Sequence, residues 1–143
     1  RLPLHAKRYI ELDHTADLRL KAFGRDEREL FANAAFALFD RMVELKRVRS
    51  TQSHAVEAAG ADAEETLVNF LAEILYSYNV NRFVCREVEI IELGPAKVKA
   101  VAKGETFDPS RHKAKHEIKA VTFHDVKIAK SNEGLEVVLT FDV

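Results

Sequence analysis

The stretch Glu11-Leu12-Asp13-His14-Thr15-Ala16-Asp17-Leu18 crowds acids, an imidazole and a hydroxyl into a few positions, just before a run that alternates apolar and polar residues. At the mouth of a strand such a cluster can bind a cation, ionise a neighbour or turn the chain. A second concentration of oxygen donors lies at the far end, where Phe141-Asp142-Val143 sets an aspartate beside the last α-carboxylate. Brought together, Asp17, Asp142 and the Val143 carboxylate would suit Ca²⁺, Mg²⁺ or Mn²⁺ rather than zinc, because hard cations prefer oxygen ligands. Three anions in contact repel one another unless a cation or a lysine neutralises them. The competing reading is a frayed, solvated end.

Three further groups could carry chemistry. Lys119 is a lone cation between Ile118 and Ala120; it is either an outward-facing surface lysine or an electrostatic contact for a phosphate or for the acids Asp17 and Asp142. Arg111-His112-Lys113-Ala114-Lys115-His116 reads as a solvated basic loop or as a contact to RNA phosphates, without the interleaved aromatics that base stacking uses. On a helix His112 and His116 would share a face as a zinc pair, with no third ligand nearby. The chain carries no phosphate-cradling glycine loop, no Ser-x-Gly elbow, no His-Glu-x-x-His and no Cys-x-x-Cys.

These groups need a scaffold, and 143 residues suffice for one domain with an ordinary core. Residues 1–8 are set aside as an N-terminal extension, native or left from cloning, and the domain is expected over 9–143. That leading segment has no apolar h-region, so no secretory signal is expected. Apolar runs are broken by charge well short of the roughly 20 residues that span a bilayer, so no membrane partner is expected. Cys85 is the only cysteine, which rules out an intrachain disulfide and favours a reducing compartment, the cytoplasm, with the thiol packed in a strand. A net charge of −1 gives no global case for nucleic-acid binding.

Strands are expected at Tyr9 to Leu12 and Leu18 to Phe23, the second with Leu18, Leu20 and Ala22 on one face. Asp26, three residues before Glu29, has the spacing of a capping box, and Leu30, Phe31, Ala34, Ala35, Leu38, Phe39 and Met42 follow at helical spacing. After a weaker strand from Val48 to Ala59, the same Gly-x-Asp-x-x-Glu pattern returns at Gly60 to Glu65 before a second apolar stripe, Leu67 to Tyr78. The repeat fits a duplication or the recurrence of capping physics. Phe83 to Leu93 and Lys97 to Lys103 form a hairpin about Gly94-Pro95, and strands follow over Glu117 to His124 and Leu135 to Val143. The expectation is α+β: a two-layer sandwich of one mainly antiparallel or mixed sheet with two amphipathic helices.

Asp13-His14-Thr15-Ala16-Asp17 followed by a strand and Gly24, then Gly104-Glu105, Arg111-His112, Glu117-Ile118-Lys119-Ala120-Val121-Thr122-Phe123-His124 and a terminal Asp142-Val143, together resemble the archease family. The resemblance runs from Tyr9 to Val143. It implies a non-catalytic activator of an RtcB-type RNA ligase in tRNA splicing and RNA repair, one that promotes guanylylation and turnover of the ligase and meets RNA and guanine nucleotide through it. It further implies a divalent cation held by Asp17, Asp142 and the Val143 carboxylate, a functional lysine at Lys119, and a supporting place for His14. Phe123 departs from the family's usual tyrosine. The alternatives are an RNA-binding chaperone using Arg111 to Lys115, and a metal-dependent phosphohydrolase, for which only His14 and His124 offer a base.

Overall fold

Alternation decides β2 (Leu18–Gly24): Leu18, Leu20 and Ala22 are buried while Asp17 and Arg19 on the other face are exposed. The computed structural model describes residues 7–12 and 17–143. β1 (Tyr9–Leu12) pairs with β2, followed by α1 (Glu27–Met42), a short 3-10 turn (Leu45–Arg47) and β3 (Gln52–Ala59). Then come α2 (Ala63–Asn81), β4 (Phe83–Gly94), β5 (Lys97–Thr106), β6 (Ala120–Val121), β7 (Ala129–Ser131) and β8 (Gly134–Asp142).

Where one sheet was expected there are two, both antiparallel. One runs β1-β2-β8-β6 with β7 also on β8, and the other runs β3-β5-β4. The reason lies on β4. Its register with β5 shifts between Cys85 and Glu87 and again between Ile90 and Glu92, and such bulges bend a strand and break its outer ladder. Arg28 of α1 donates to the Ile90 carbonyl at the second bulge, so a side chain rather than another strand meets that carbonyl. The α+β class holds. The helices meet through Phe31 against Phe70 and Phe39 against Tyr78, with ring centroids 5.8 and 6.0 Å apart, and the apolar stripes of both are buried in one core.

The repeated Gly-x-Asp-x-x-Glu unit folds the same way twice. Asp26 caps α1 by accepting from the Glu29 amide at 2.9 Å, and Asp62 caps α2 by accepting from the Glu65 amide at 2.8 Å. Each glutamate reaches back one residue further than a capping box requires, to the amides of Arg25 and Ala61. Asn33 and Asn69 donate to the Phe23 and Ala59 carbonyls at 2.7 and 2.8 Å, tying each helix to the strand before it. Close approach explains both glycines: a Cβ at Gly24 would lie 2.4 Å from the Leu30 nitrogen, and one at Gly60 2.5 Å from the Thr66 nitrogen. Gly60→Ala is therefore expected to destabilise the fold by about 2 kcal/mol, the scale of overpacking against backbone, read as a lower urea midpoint at unchanged slope.

Cys85 is 2% exposed, and burial pushes its thiol up to about 12. It is a packed side chain, as the sequence suggests, and at neutral pH it presents no thiolate.

Candidate functional site

The start of β2, the start of β6 and the end of β8 meet at one end of the larger sheet. β2 and β8 pair with Leu18 opposite Phe141, so continuing the register by one residue sets Asp17 opposite Asp142. On the other side of β8, Ala120 pairs with Asp142, and the Lys119 amide donates to the Asp142 carbonyl at 2.8 Å. Asp17, Lys119, Asp142 and Val143 are all exposed. Each of the three segments is anchored by the neighbouring apolar residue: Leu18 is 5%, Ile118 1% and Phe141 0% exposed. On β2 and β8 period-two geometry explains the division, since a residue beside the core-facing Leu18 or Phe141 must face out. Two carboxylates from distant parts of the chain thus come together at the ends of β2 and β8, and Lys119 is joined to β8 through its backbone amide.

Among the described residues, no group of three or more His, Cys, Asp or Glu side chains is arranged to hold a metal ion. Asp17 and Asp142 bring two side-chain carboxylates to this end of the sheet, oxygen donors of the kind a hard divalent cation prefers. His14, expected in a supporting place, lies outside the described residues, as do Asp13, Thr15 and Ala16. The strand that leads to them is fixed: the Tyr9 hydroxyl donates to Asp40 at 2.5 Å, and Glu11 pairs with Arg41 at 3.1 Å.

Lys119 does not sit in an extended strand. Pairing begins at Ala120, and β6 is two residues long. Beyond it, Phe123 is 59% exposed and His124 faces the exposed Asp125 at 3.0 Å.

The basic segment is not the free loop it resembles. Arg111 forms two hydrogen bonds to Glu105, at 2.7 and 3.1 Å, and a third to the Arg47 carbonyl. His112 is buried; its Nδ1 accepts from the Asp108 amide at 2.8 Å, so its Nε2 carries the proton donated to Glu105 at 3.0 Å. The Arg49 amide completes the hub at 2.7 Å. Arg111's hydrogen bonds, foremost, with those of the Arg49 amide and His112, hold the Glu105 carboxyl down at about 2 against the opposing effect of burial. Farther on, the Glu44 amide donates to the Lys113 carbonyl and the Lys115 amide to that of Met42, and His116 faces Arg41 at 3.1 Å. The segment is not helical, and both nitrogens of His112 are engaged, so a His112–His116 zinc pair is excluded. Arg111 and His112 are likewise spent inside the fold, which leaves Lys113 and Lys115 as the segment's exposed cations. Sequence reasoning missed Glu105 as the hub; its one signal was a Gly-Glu pair ahead of an Arg-His pair.

Comparison with known proteins gives one answer. A family model described as the archease protein family matches residues 9–143. The protein archease of Pyrococcus abyssi is 39% identical, over 90% of this chain and 92% of its own length. That of Methanosarcina acetivorans is 33% identical over 99% of this chain and all of its own. The solution structure of Methanobacterium thermoautotrophicum protein 1598 superimposes with a TM-score of 0.80 at 28% identity, covering 95% of this chain and 99% of that one.

Proposed function

The chain belongs to the archease family, and from that premise we propose that it is a non-catalytic, cation-binding activator of an RtcB-type RNA ligase, acting in tRNA splicing and RNA repair in the cytoplasm. The observation that carries this reading is the edge where Asp17, Asp142 and Val143 stand beside Lys119. Asp17, Asp142 and the Val143 carboxylate would hold Ca²⁺, Mg²⁺ or Mn²⁺, and the cation would supply charge that stabilises a phosphoryl or nucleotidyl centre. Lys119, tied to Asp142 through its backbone amide, presents its ammonium to phosphate. The rigid strand ends fix these groups relative to one another, so docking beside the ligase active site orients them there at little entropic cost. RNA and guanine nucleotide are met through the ligase, and no described helix is long and apolar enough to cross a membrane.

The test is single-turnover guanylylation of an RtcB-type ligase with GTP and Mn²⁺, with and without this protein. Acceleration by the protein, lost on Lys119→Ala, is expected; no acceleration by the wild-type chain would overturn the reading. A chain extended by a few residues beyond Val143 should activate at least about tenfold less, because an amide replaces the carboxylate donor. GTP turnover by the protein alone would instead favour an enzyme. The RNA-chaperone reading predicts direct RNA binding that falls steeply with salt, and the internal engagement of Arg111 and His112 weighs against it.

A further inference from the structure

A second concave site adjoins the acidic edge. Between the end of α2 and the segment 114–119 lies a cleft of about 540 Å³, whose lining includes Tyr78, Asn79, Arg82, Lys115, Glu117 and Lys119. That volume falls in the range of small-ligand pockets. Three cations line it against one carboxylate, and among the described residues none of the three cations is ion-paired. Lys119 belongs to both places, lining the cleft while its amide holds the Asp142 carbonyl.

Arg82 is the informative residue. It closes α2 as the left-handed cap, with φ 59°, and its amide donates to the Ser77 and Tyr78 carbonyls. Glycine is the unstrained choice for that conformation, and a side chain there is retained against a backbone penalty. The side chain is also held in place. Its guanidinium lies 4.1 Å over the Tyr78 ring and 5.6 Å from that of Phe107, and it donates to the Tyr78 hydroxyl at 2.8 Å. One bond to a hydroxyl leaves most of a five-donor fork unused. A planar, pre-oriented guanidinium with two lysines lining the same cleft is an arrangement suited to a tetrahedral dianion. The charge of Arg82 also offsets the negative end of the α2 dipole, which otherwise would repel such a ligand.

We infer that this cleft binds a phosphate group, that of a nucleoside polyphosphate or of a nucleic-acid 3′-terminus, with Arg82 as the fixed contact and Lys115 and Lys119 as the mobile ones. The inference is independent of ligase activation, because phosphate binding by the isolated protein can fail while activation persists, and the converse.

The experiment is an amide-detected NMR titration of the protein with pyrophosphate at about 0.15 M salt, where exposed charges are screened beyond about 8 Å. Saturable shifts at Tyr78, Arg82 and 114–119 are expected, weakened tenfold or more in both Arg82→Gly and Lys115→Gln. Arg82→Gly removes the guanidinium while relaxing the backbone, so loss of folding does not imitate loss of binding. No saturation in the wild type, or wild-type affinity retained by either variant, overturns the inference. GTP and a 3′-phosphorylated trinucleotide then distinguish the sources: whichever binds more tightly than pyrophosphate is the ligand class, and failure of both to bind overturns the proposal.

Discussion

Replacing both Asp17 and Asp142 by asparagine is expected to cut activation of the ligase by about a hundredfold while making the cation-free protein slightly more stable. The two effects share one cause. Extending the β2–β8 register by one residue makes the two aspartates cross-strand neighbours, and like charges directly opposite one another destabilise a ladder by about 0.2–1 kcal/mol. When a divalent cation binds, the sign reverses. One carboxylate at about 2.4 Å from a divalent ion gains about 3 kcal/mol even at the dielectric of water. Dehydration and side-chain ordering take part of this, leaving about 1.4 kcal/mol, a tenfold loss of affinity, for each carboxylate neutralised. Thermal unfolding therefore gives opposite answers in two buffers. In chelator the double variant should unfold at or slightly above the wild-type temperature. In excess Ca²⁺ or Mn²⁺ the wild type should rise, as any ligand that binds only the folded state requires, and the variant should not. A wild type indifferent to every divalent ion would sink the cation-holding role, whatever the ligase assay gave.

The parts of this fold that were legible in the sequence are those with a local cause. Leu18, Leu20 and Ala22 alternate, so β2 and its buried face follow directly. The aspartate caps of both helices follow from Asp26 and Asp62, and the structure adds the matching asparagines, Asn33 and Asn69, at equivalent places. What alternation cannot give is the partner. A period of two says which face Asp17 occupies, and nothing in it says that β8 rather than β4 lies alongside; the donor chemistry of the chain end suggested that partner and the family resemblance strengthened it. For the same reason one sheet was expected where there are two, because the division rests on bulges in β4 and an arginine from α1. The segment Arg111 to His116 misled for a different reason. Its composition is that of a solvated loop, and only a buried acid 56 residues from its nearest backbone donor, at Arg49, shows that it is internal structure. Lys119 likewise reads as strand from its neighbours but lies ahead of a two-residue pairing, which is what leaves it at the junction of edge and cleft.

Glu105 is where a single substitution should do most damage to the fold. Glu105→Ala removes the acceptor of Arg111, His112 and the Arg49 amide together. Arg111 can turn toward solvent, but the buried His112 keeps an Nε2–H without a partner. Breaking a buried charged hub costs about 3 kcal/mol, which for a domain of this size corresponds to a melting temperature lower by roughly 10 °C. The pH dependence identifies the cause. The folded-state carboxyl is held at about 2, below the roughly 4.3 of an unfolded glutamate. Its contribution is therefore complete above about pH 4.5 and is lost as pH falls toward 2. The stability difference between wild type and Glu105→Gln, taken from urea midpoints, should be largest at neutral pH and should shrink steadily from pH 4.5 downward. A difference as large at pH 3 as at pH 7 would mean that shape rather than charge holds the hub. The consequence reaches function because the hub fixes the start of the segment that ends at Lys119. At a temperature where Glu105→Gln is fully folded, it should still activate the ligase less than wild type, without any change at Asp17 or Asp142. Equal activation by that variant would show that Lys119 is held by β8 and Ile118 alone.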